Sequence, residues 1–173
     1  MKKSLPDLNY IKSILDYNPD SGVFTWKVRR QGIKIGQSAG TLWIDKRNPD
    51  SKYYQIAINR KLYRLHRLAY FYVSSIDPME NQIDHADGDT LNNKFENLRL
   101  ATHADNKKNQ KKYKNNTSGF KGVNWDKKTK KWRARITVNN KKISLGYYNN
   151  KFYAALVYAR AAKHYFGEFR REG

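Results

Sequence analysis

The sequence contains no cysteine among its 173 residues. This absence excludes disulfide bonds and any zinc site built on cysteine ligands. Long apolar runs are missing too, since none approaches the roughly 18 residues that a membrane-spanning helix needs. The N-terminus, MKKSLPDLNYIKSI, begins with lysines but lacks the continuous apolar stretch of a secretory signal. The sequence therefore predicts a cytoplasmic protein with no membrane association.

Acidic residues are scarce, and the scarcity is uneven. The chain has 35 Lys+Arg against 15 Asp+Glu, a net charge of +20. Residues 107–173 hold 19 of these bases and only 3 acids. Such an excess favours a polyanion, above all nucleic acid, as the partner. The alternative is a basic protein whose charge serves only solubility. A membrane surface is not favoured as the partner, because the sequence has no dominant basic amphipathic helix.

Residues 77–106 are the exception, because they hold seven acids and two bases. Carboxylates repel DNA phosphate, and a divalent cation bound among them would remove that repulsion. The alternative is that these acids only cap turns and helices. The acids are Asp77, Glu80, Asp84, Asp87, Asp89, Glu96 and Asp105.

Apolar spacing gives a coarse map of the first 111 residues. It predicts a helix over residues 6–17, strands near 24–28 and 54–58, and a second helix over 63–74. Short strands are expected at 82–85 and 98–101. Thr102 is a good N-cap for a helix over 103–111. The lysine-rich stretch that follows is either a linker or a basic extension of this helix.

The C-terminal third predicts three strands and a helix. Strands are expected at 122–125, 132–138 and around 143–145, with a tight turn at Asn139-Asn140. A helix is expected over 150–166. In the second strand apolar and polar residues alternate, so one sheet face meets the helix and the other is polar. The predicted polar face carries Lys131, Arg133, Arg135, Thr137, Lys142 and Ser144.

The segment IDHADGDTLNNKFENLRLATHADNKKN carries a spaced set of polar residues. Asp84 and His85 are adjacent, Asn97 follows twelve residues after His85, and Asn106 nine residues after Asn97. Together these spacings resemble the HNH motif of phage homing endonucleases over roughly residues 63–110. Asn106 stands where the eponymous motif has its final histidine, so the resemblance is to the HNN-like variant. A calcium loop is not indicated, because Ala86 replaces a carboxylate that it requires.

The resemblance implies a ββα-metal fold and hydrolysis of DNA phosphodiesters. It implies that Asp84 and Asn106 ligate one metal ion, that His85 is the general base, and that Asn97 pins the loop as part of the catalytic set. An amide oxygen is a poor zinc ligand but suits Mg²⁺, so Mg²⁺ is expected, Mn²⁺ as a substitute, and zinc is not. A neutral imidazole near pH 7 suits activation of water.

Further polar residues of this region are weaker candidates. Phosphate contact or support of the metal ligands is predicted for His103, Asn93, Asn109 and Arg67. His103 could equally be a second metal ligand or a surface histidine. His66, in the segment LHRL that often precedes the motif, is expected to have a structural role. Arg64, like Arg67, could touch the DNA backbone.

Residues 117–168 resemble the Apetala-two (ethylene-response-factor) DNA-binding domain. The landmarks are Gly122-Val123, Trp132, Ala134, Ile136, Leu145-Gly146, Ala154-Ala155, Tyr158, Ala161-Ala162 and Phe166-Gly167. The resemblance implies a three-stranded sheet in the DNA major groove. By alignment its DNA-facing positions are Lys121, Asn124, Arg135, Thr137, Lys142 and Ser144. Three of these differ from the plant residues, so the plant target sequence is not carried over.

Together these patterns predict an α+β protein in four parts. They are N-terminal helix and strands (1–62), a nuclease core (63–110), a basic linker (111–118) and a DNA-binding domain (119–173). The expected function is a sequence-specific, homing-type DNA endonuclease that acts as a monomer on double-stranded DNA and nicks one strand. The combination resembles phage enzymes, which act in the host cytoplasm. The alternatives are a DNA-binding regulator with an inactive nuclease motif, and an RNA-binding protein.

Overall fold

A computed structural model describes residues 4–109 and 116–169 of the chain. The chain divides into two compact units, residues 1–102 and 103–173. Most of the predicted linker, and the end of the helix expected to reach residue 111, lie outside the described residues. Within the described ranges, no helix combines the length and apolar character needed to cross a membrane.

The first unit begins with helix α1 (Leu8–Ile14) and the antiparallel pair β1 (Leu15–Asn18) and β2 (Val23–Trp26). The helix predicted over residues 6–17 is therefore wrong beyond Ile14. Leu15 satisfies the helical spacing, but Leu15 and Tyr17 are both buried and pair with Trp26 and Phe24. The period-two burial of a strand outweighs the helical period there.

A three-stranded antiparallel sheet follows, in the order β3 (Thr41–Ile44), β4 (Lys52–Ile58) and β5 (Lys61–Arg64). Asn59 and Arg60 both have positive φ angles, as a two-residue hairpin turn requires. Helix α2 (Leu65–Ser74) begins two residues later than predicted, because Tyr63 and Arg64 pair with β4. β3 was not expected from the sequence.

Strands β6 (Gln82–His85) and β7 (Leu98–Ala101) form a separate antiparallel pair, at the predicted positions. One apolar core joins this pair to α1, α2 and the strands before them. Its most deeply buried side chains include Ile11, Phe24, Ile58 and Leu68. Ile83 of β6 and Leu98 of β7 belong to the same core, so the pair is fixed against a rigid support.

The second unit contains α3 (His103–Lys108), strands β8 (Val123–Asp126), β9 (Lys131–Val138) and β10 (Lys141–Tyr148), and helix α4 (Lys151–Phe166). The sheet is antiparallel with β9 in the centre, and α4 packs on one of its faces. Gly122 has φ +72°, and a Cβ atom there would lie 2.1 Å from the Tyr158 ring. Three strands and one helix are thus present where the sequence predicts them.

Candidate active site

Two adjacent residues of β6, Asp84 and His85, are buried polar groups of the first unit. Each of the two residues has only 4% of its surface exposed to solvent. In the strand pair Asp84 lies opposite Arg99, and His85 lies opposite Leu98. His85 is the last residue of β6, so the loop of residues 86–97 begins directly after it. The site is therefore built from one strand end and the loop that leaves it.

The His85 imidazole has a defined hydrogen-bond partner. Its Nε2 lies 3.1 Å from Oδ1 of the buried Asn93. An amide oxygen only accepts hydrogen bonds, so Nε2 carries the proton and Nδ1 is the basic nitrogen. Burial lowers the pKa of His85 below 6.5, against the raising effects of the Asn93 bond and of nearby carboxylates. The imidazole is thus neutral at pH 7 and able to accept a proton.

Asn97 closes the loop between β6 and β7. Its Oδ1 accepts from the backbone N–H of Asp87 at 3.0 Å. Its Nδ2 donates to Oδ1 of Asp87 at 2.9 Å and to the carbonyl of Asn92 at 2.8 Å. The backbone N–H of Ala86 also donates to the Asn97 carbonyl, at 2.9 Å. These bonds hold the start and the middle of the loop to the residue that ends it.

Asp87 organises the same loop, and sequence reasoning gave it no individual role. Its carboxylate accepts from Nδ2 of Asn92 and from the backbone N–H of Asp89, both at 2.8 Å, as well as from Asn97. Burial raises the pKa of Asp87, but the hydrogen bonds outweigh burial and hold that pKa below 3.8. An aspartate bonding to the N–H two residues on is typical of an Asx-turn, which was the available signal.

The N-terminal hairpin holds the backbone of Asn93. The Tyr17 hydroxyl donates a buried 2.6 Å hydrogen bond to the Asn93 carbonyl, and burial raises the pKa of Tyr17 to about 12. Gly22 has φ +73°, and a Cβ atom there would lie 2.5 Å from the Asn93 carbonyl carbon. The backbone N–H of Phe95 donates to the carbonyl of Pro19 at 3.0 Å. β1 and β2 thus fix the segment that orients His85.

Asp84 is paired with a cation from the chain itself. Oδ2 of Asp84 accepts from Nε of Arg99 at 2.9 Å and from Nη2 at 2.7 Å. The two side chains are 5% and 17% exposed, respectively. The sequence predicts a metal ion at Asp84 and did not identify Arg99. A cation bound there would share the carboxylate with the guanidinium or displace it.

His66 of α2 packs against His85. The two rings have centroids 5.2 Å apart and meet edge to face at 80°. Burial is the main cause that lowers the pKa of His66 well below 6.5, with smaller contributions from His85, Arg67 and Arg64. Both rings are therefore neutral at pH 7, which avoids repulsion between two buried imidazolium ions.

The buried His66 makes stability depend on pH. Below pH 6.5 the unfolded chain binds a proton at this position that the folded chain does not bind. The free energy of unfolding should therefore fall by about 1.36 kcal/mol per pH unit below pH 6.5, until the folded pKa is reached. Urea unfolding at pH 7.5, 6.5 and 5.5 measures this. His66→Gln should reduce the dependence but not abolish it, because the pKa of His85 is also lowered by burial. An exposed-residue control, His164→Gln, should keep it; equal slopes in all three proteins would contradict the expectation.

Arg67 of α2 has two of its donors committed to the backbone. Nη1 donates to the carbonyl of Asn81, and Nη2 to the carbonyl of Met79, both at 2.8 Å. Burial lowers the pKa of Arg67, and Asp77 and Glu80 partly offset this. These bonds tie the loop that precedes β6 to α2. A phosphate contact by Arg67 stays a prediction.

The remaining predicted site residues lie on or after α3, in the second unit. His103 is exposed, Asn106 is half-buried and Asn109 is buried. The ammonium group of Lys121, a predicted DNA contact, donates to the Lys108 carbonyl at the end of α3, at 2.8 Å. Asn106 thus lies in a different unit from Asp84, and its role in binding a metal ion stays a prediction.

A metal ion at this site would depend on few protein ligands. Among the residues that the structure describes, no group of three or more histidine and carboxylate side chains could hold an ion. The predicted ligands are one carboxylate and one amide oxygen, at Asp84 and Asn106. Mg²⁺ binds through one or two carboxylates and completes its coordination with water and substrate phosphate. The donor chemistry fits a hard divalent cation that arrives with DNA.

The strand register of the second unit places a basic set on one sheet face. Paired residues share a face, and Arg133 pairs with Asn124, Arg135 with Ser144, and Thr137 with Lys142. The neighbouring residues of β9, Ala134 and Ile136, are buried in the core with α4. The polar face thus carries Asn124, Lys131, Arg133, Arg135, Thr137, Lys142 and Ser144.

Tyr147 joins this polar face, and sequence reasoning missed it. It lies opposite Arg133 and is 43% exposed. The register shifts between Ser144 and Gly146, so simple alternation from Lys142 assigns Tyr147 to the wrong face. An aromatic ring beside a guanidinium offers a nucleic acid both stacking and hydrogen bonding.

Comparison with known proteins assigns part of the chain. Residues 63–108 match the family model described as HNH endonuclease. Protein 3.8 of Escherichia phage T7 is 45% identical over 64 residues, which are 37% of this chain and 53% of the phage protein. The chain thus aligns with about half the length of that relative. No solved structure matches. The chain carries an HNH endonuclease domain and has a phage homologue, whereas the Apetala-two resemblance stays a prediction from the residues.

Proposed function

We propose that the chain is a homing-type HNH endonuclease that hydrolyses phosphodiester bonds of double-stranded DNA with one divalent metal ion. The observation that carries the proposal is the environment of His85. Its imidazole is neutral, its basic nitrogen is set by Asn93, and it follows Asp84 directly on one strand. This geometry lies within the segment that matches the HNH endonuclease family.

His85 acts as the general base in this proposal. Its Nδ1 takes a proton from water as the water oxygen attacks phosphorus, and the departing 3′-oxygen takes a proton from solvent. The resulting imidazolium keeps its Nε2 hydrogen bond to Asn93. The charges of Asp87, Asp84 and Asp89 all favour the protonated ring. The site thus holds a neutral base before the reaction and stabilises its conjugate acid afterwards.

Asp84 and Asn106 would hold the metal ion, Mg²⁺ or Mn²⁺ in its place. When bound, such a cation stabilises the charge on the phosphate oxygens and on the leaving oxygen. Asn97 and Asp87 keep the loop after His85 in one conformation. Arg99 neutralises Asp84 in the absence of the cation, which limits the cost of a buried carboxylate.

The polar face of the second unit would aim the nuclease, as its resemblance to the Apetala-two domain implies. A two- or three-stranded ribbon fits the DNA major groove. The lysines around it would add affinity for phosphate without sequence information. One active site cuts one strand, so a monomer on DNA should nick.

Arg135 lies near the middle of this face and provides a test of DNA reading. Arg135→Ser should weaken binding to a duplex selected from a random library by roughly ten- to hundredfold, because a bidentate base contact is lost. Binding to unrelated duplex should weaken less. Fluorescence anisotropy measures both affinities. Arg160→Ser, at an exposed position of α4, is the matched control. Equal losses of DNA affinity in the two variants would contradict the assignment of this sheet face as the DNA-binding face.

A second function has one structural observation in its favour. Because Arg99 already pairs with Asp84, the protein could be a DNA-binding regulator whose nuclease motif no longer takes a metal ion. Incubation of supercoiled plasmid carrying the preferred site, with Mg²⁺, Mn²⁺ or chelator, separates the two functions. The endonuclease converts the plasmid to the relaxed form only with metal. Tight binding without any nick under either metal would establish the regulator.

A further inference from the structure

Arg64 is a cation fixed between two aromatic rings. Its guanidinium carbon lies 4.1 Å from the centre of the Trp43 ring and 4.8 Å from that of Tyr53. Neither of the ion pairs found in the described ranges involves it. Its Nη1 is closed off from solvent and has no hydrogen-bond partner among the described residues. A buried donor without a partner is costly, so the site is short of an acceptor.

His66, which also contacts Tyr53, presents a second buried nitrogen without a partner in residues 4–109 and 116–169, and this nitrogen donates to an anion in the Nδ1–H tautomer. Its ring centroid lies 5.4 Å from that of Tyr53 and 5.2 Å from that of His85. Its Nδ1 is likewise buried and has no partner within the described part of the chain. Two unsatisfied nitrogen atoms thus belong to residues that both contact the Tyr53 ring, and the ring of one of these residues, His66, also contacts the ring of the proposed general base.

The start of α2 adds further donors at the same place. Arg64 is the N-cap residue, and no side chain caps the helix or places an acid in its first turn. The backbone N–H groups of a first helical turn attract anions. Residues 29–64 also hold nine Lys+Arg and two Asp, so this part of the chain favours the approach of a polyanion.

We propose that Arg64, His66 and the first turn of α2 form a subsite for a phosphate group of the DNA strand beside His85. This inference rests on the proposed nuclease function in one respect, which is that the phosphate belongs to a DNA strand. Trp43 is half-buried on β3, an edge strand, and its ring must shift for the anion to reach Nη1. Arg67 is not part of the subsite, since two of its donors are bound to carbonyl oxygens.

The test titrates nitrogen-15-labelled protein without divalent metal, first with inorganic phosphate and then with a short duplex DNA. Wild type should show saturable shifts of the His66 ring nitrogens, the Arg64 Nε–H and the Trp43 indole N–H. Arg64→Gln should weaken the phosphate affinity seen at His66 roughly ten- to hundredfold. Arg64→Lys, which keeps the charge and helps the fold, should fall between the two.

The matched control is Arg30→Gln. Arg30 also stacks on a tryptophan, with its guanidinium carbon 4.6 Å from the centre of the Trp26 ring, but it is exposed. This variant removes the same charge and should bind phosphate as wild type does. Equal weakening in Arg30→Gln and Arg64→Gln, or no saturable shift in wild type with either probe, would overturn the subsite.

Cleavage assays with Mg²⁺ separate this proposal from the nuclease function. If phosphate binds at His66 and Arg64 but wild type never nicks DNA, the subsite stands and the endonuclease fails. If wild type nicks DNA but neither probe moves these signals, the endonuclease stands and the subsite fails. His85→Ala should lose cleavage and keep the phosphate-induced shifts, because its side chain is not one of the proposed donors.

Discussion

Replacing His85 by alanine is expected to lower the rate of DNA nicking by about 10²–10⁴, the usual contribution of a positioned general base. Affinity for the preferred duplex should not change, because the residue acts on water and not on the DNA bases. The rate is measured as loss of supercoiled plasmid at saturating protein with Mg²⁺. His85 is buried, so thermal unfolding of the variant must show that the fold is retained.

A variant at a second histidine is the control for this experiment. His164 lies on an exposed part of α4, and His164→Ala should nick at the wild-type rate. His85→Gln is a second replacement that fills more of the ring volume and cannot accept a proton from water near pH 7. A folded His85→Ala or His85→Gln protein that nicks as fast as wild type would eliminate His85 as the base.

Asp84→Asn should strongly reduce metal-dependent nicking while DNA binding persists. A metal ion contributes several kcal/mol to the transition state, and 1.36 kcal/mol corresponds to a tenfold change, so the expected loss is about 10³. The variant also removes the negative charge that pairs with Arg99, and breaking a buried ion pair costs up to about 3–5 kcal/mol of stability. Rates at several Mg²⁺ concentrations, together with urea unfolding, measure both effects.

Glu96→Gln is the control for the loss of a carboxylate in the same segment, because Glu96 is exposed. It should change neither the metal dependence nor the stability. Chelation of divalent metal should reduce wild type to the level of Asp84→Asn, and added Mg²⁺ or Mn²⁺ should restore wild type alone. Wild-type nicking that survives chelation would remove the metal from the proposal.

Local patterns predicted the elements whose period was unambiguous. The alternation across residues 132–138 found β9 and its two faces, and the apolar stripe over 150–166 found α4. The short strands β6 and β7 were also placed correctly. Leu15 fits both a helix and a strand, and only pairing with β2 decides between them, so β1 was missed. Pairing of this kind is not encoded in a local window.

The site shows the same division between local and distant information. The spacing of Asp84, His85 and Asn97 indicated an HNH motif, and the comparison confirmed an HNH domain. Two residues that contact this site, Arg99 at Asp84 and Tyr17 at Asn93, were not found from the sequence. Arg99 acts through strand pairing, and Tyr17 contacts a residue 76 positions away. Contacts of this type appear only once the chain has folded.

The hydrogen bond from Tyr17 to the Asn93 carbonyl has a consequence for when the protein can cut. The proposed base His85 has its tautomer fixed only while Asn93 is in place, and Asn93 is held by the first two strands of the chain. A fragment that has lost these strands to proteolysis would still contain the whole HNH segment, but it would lack the hydrogen bond that holds Asn93 beside His85.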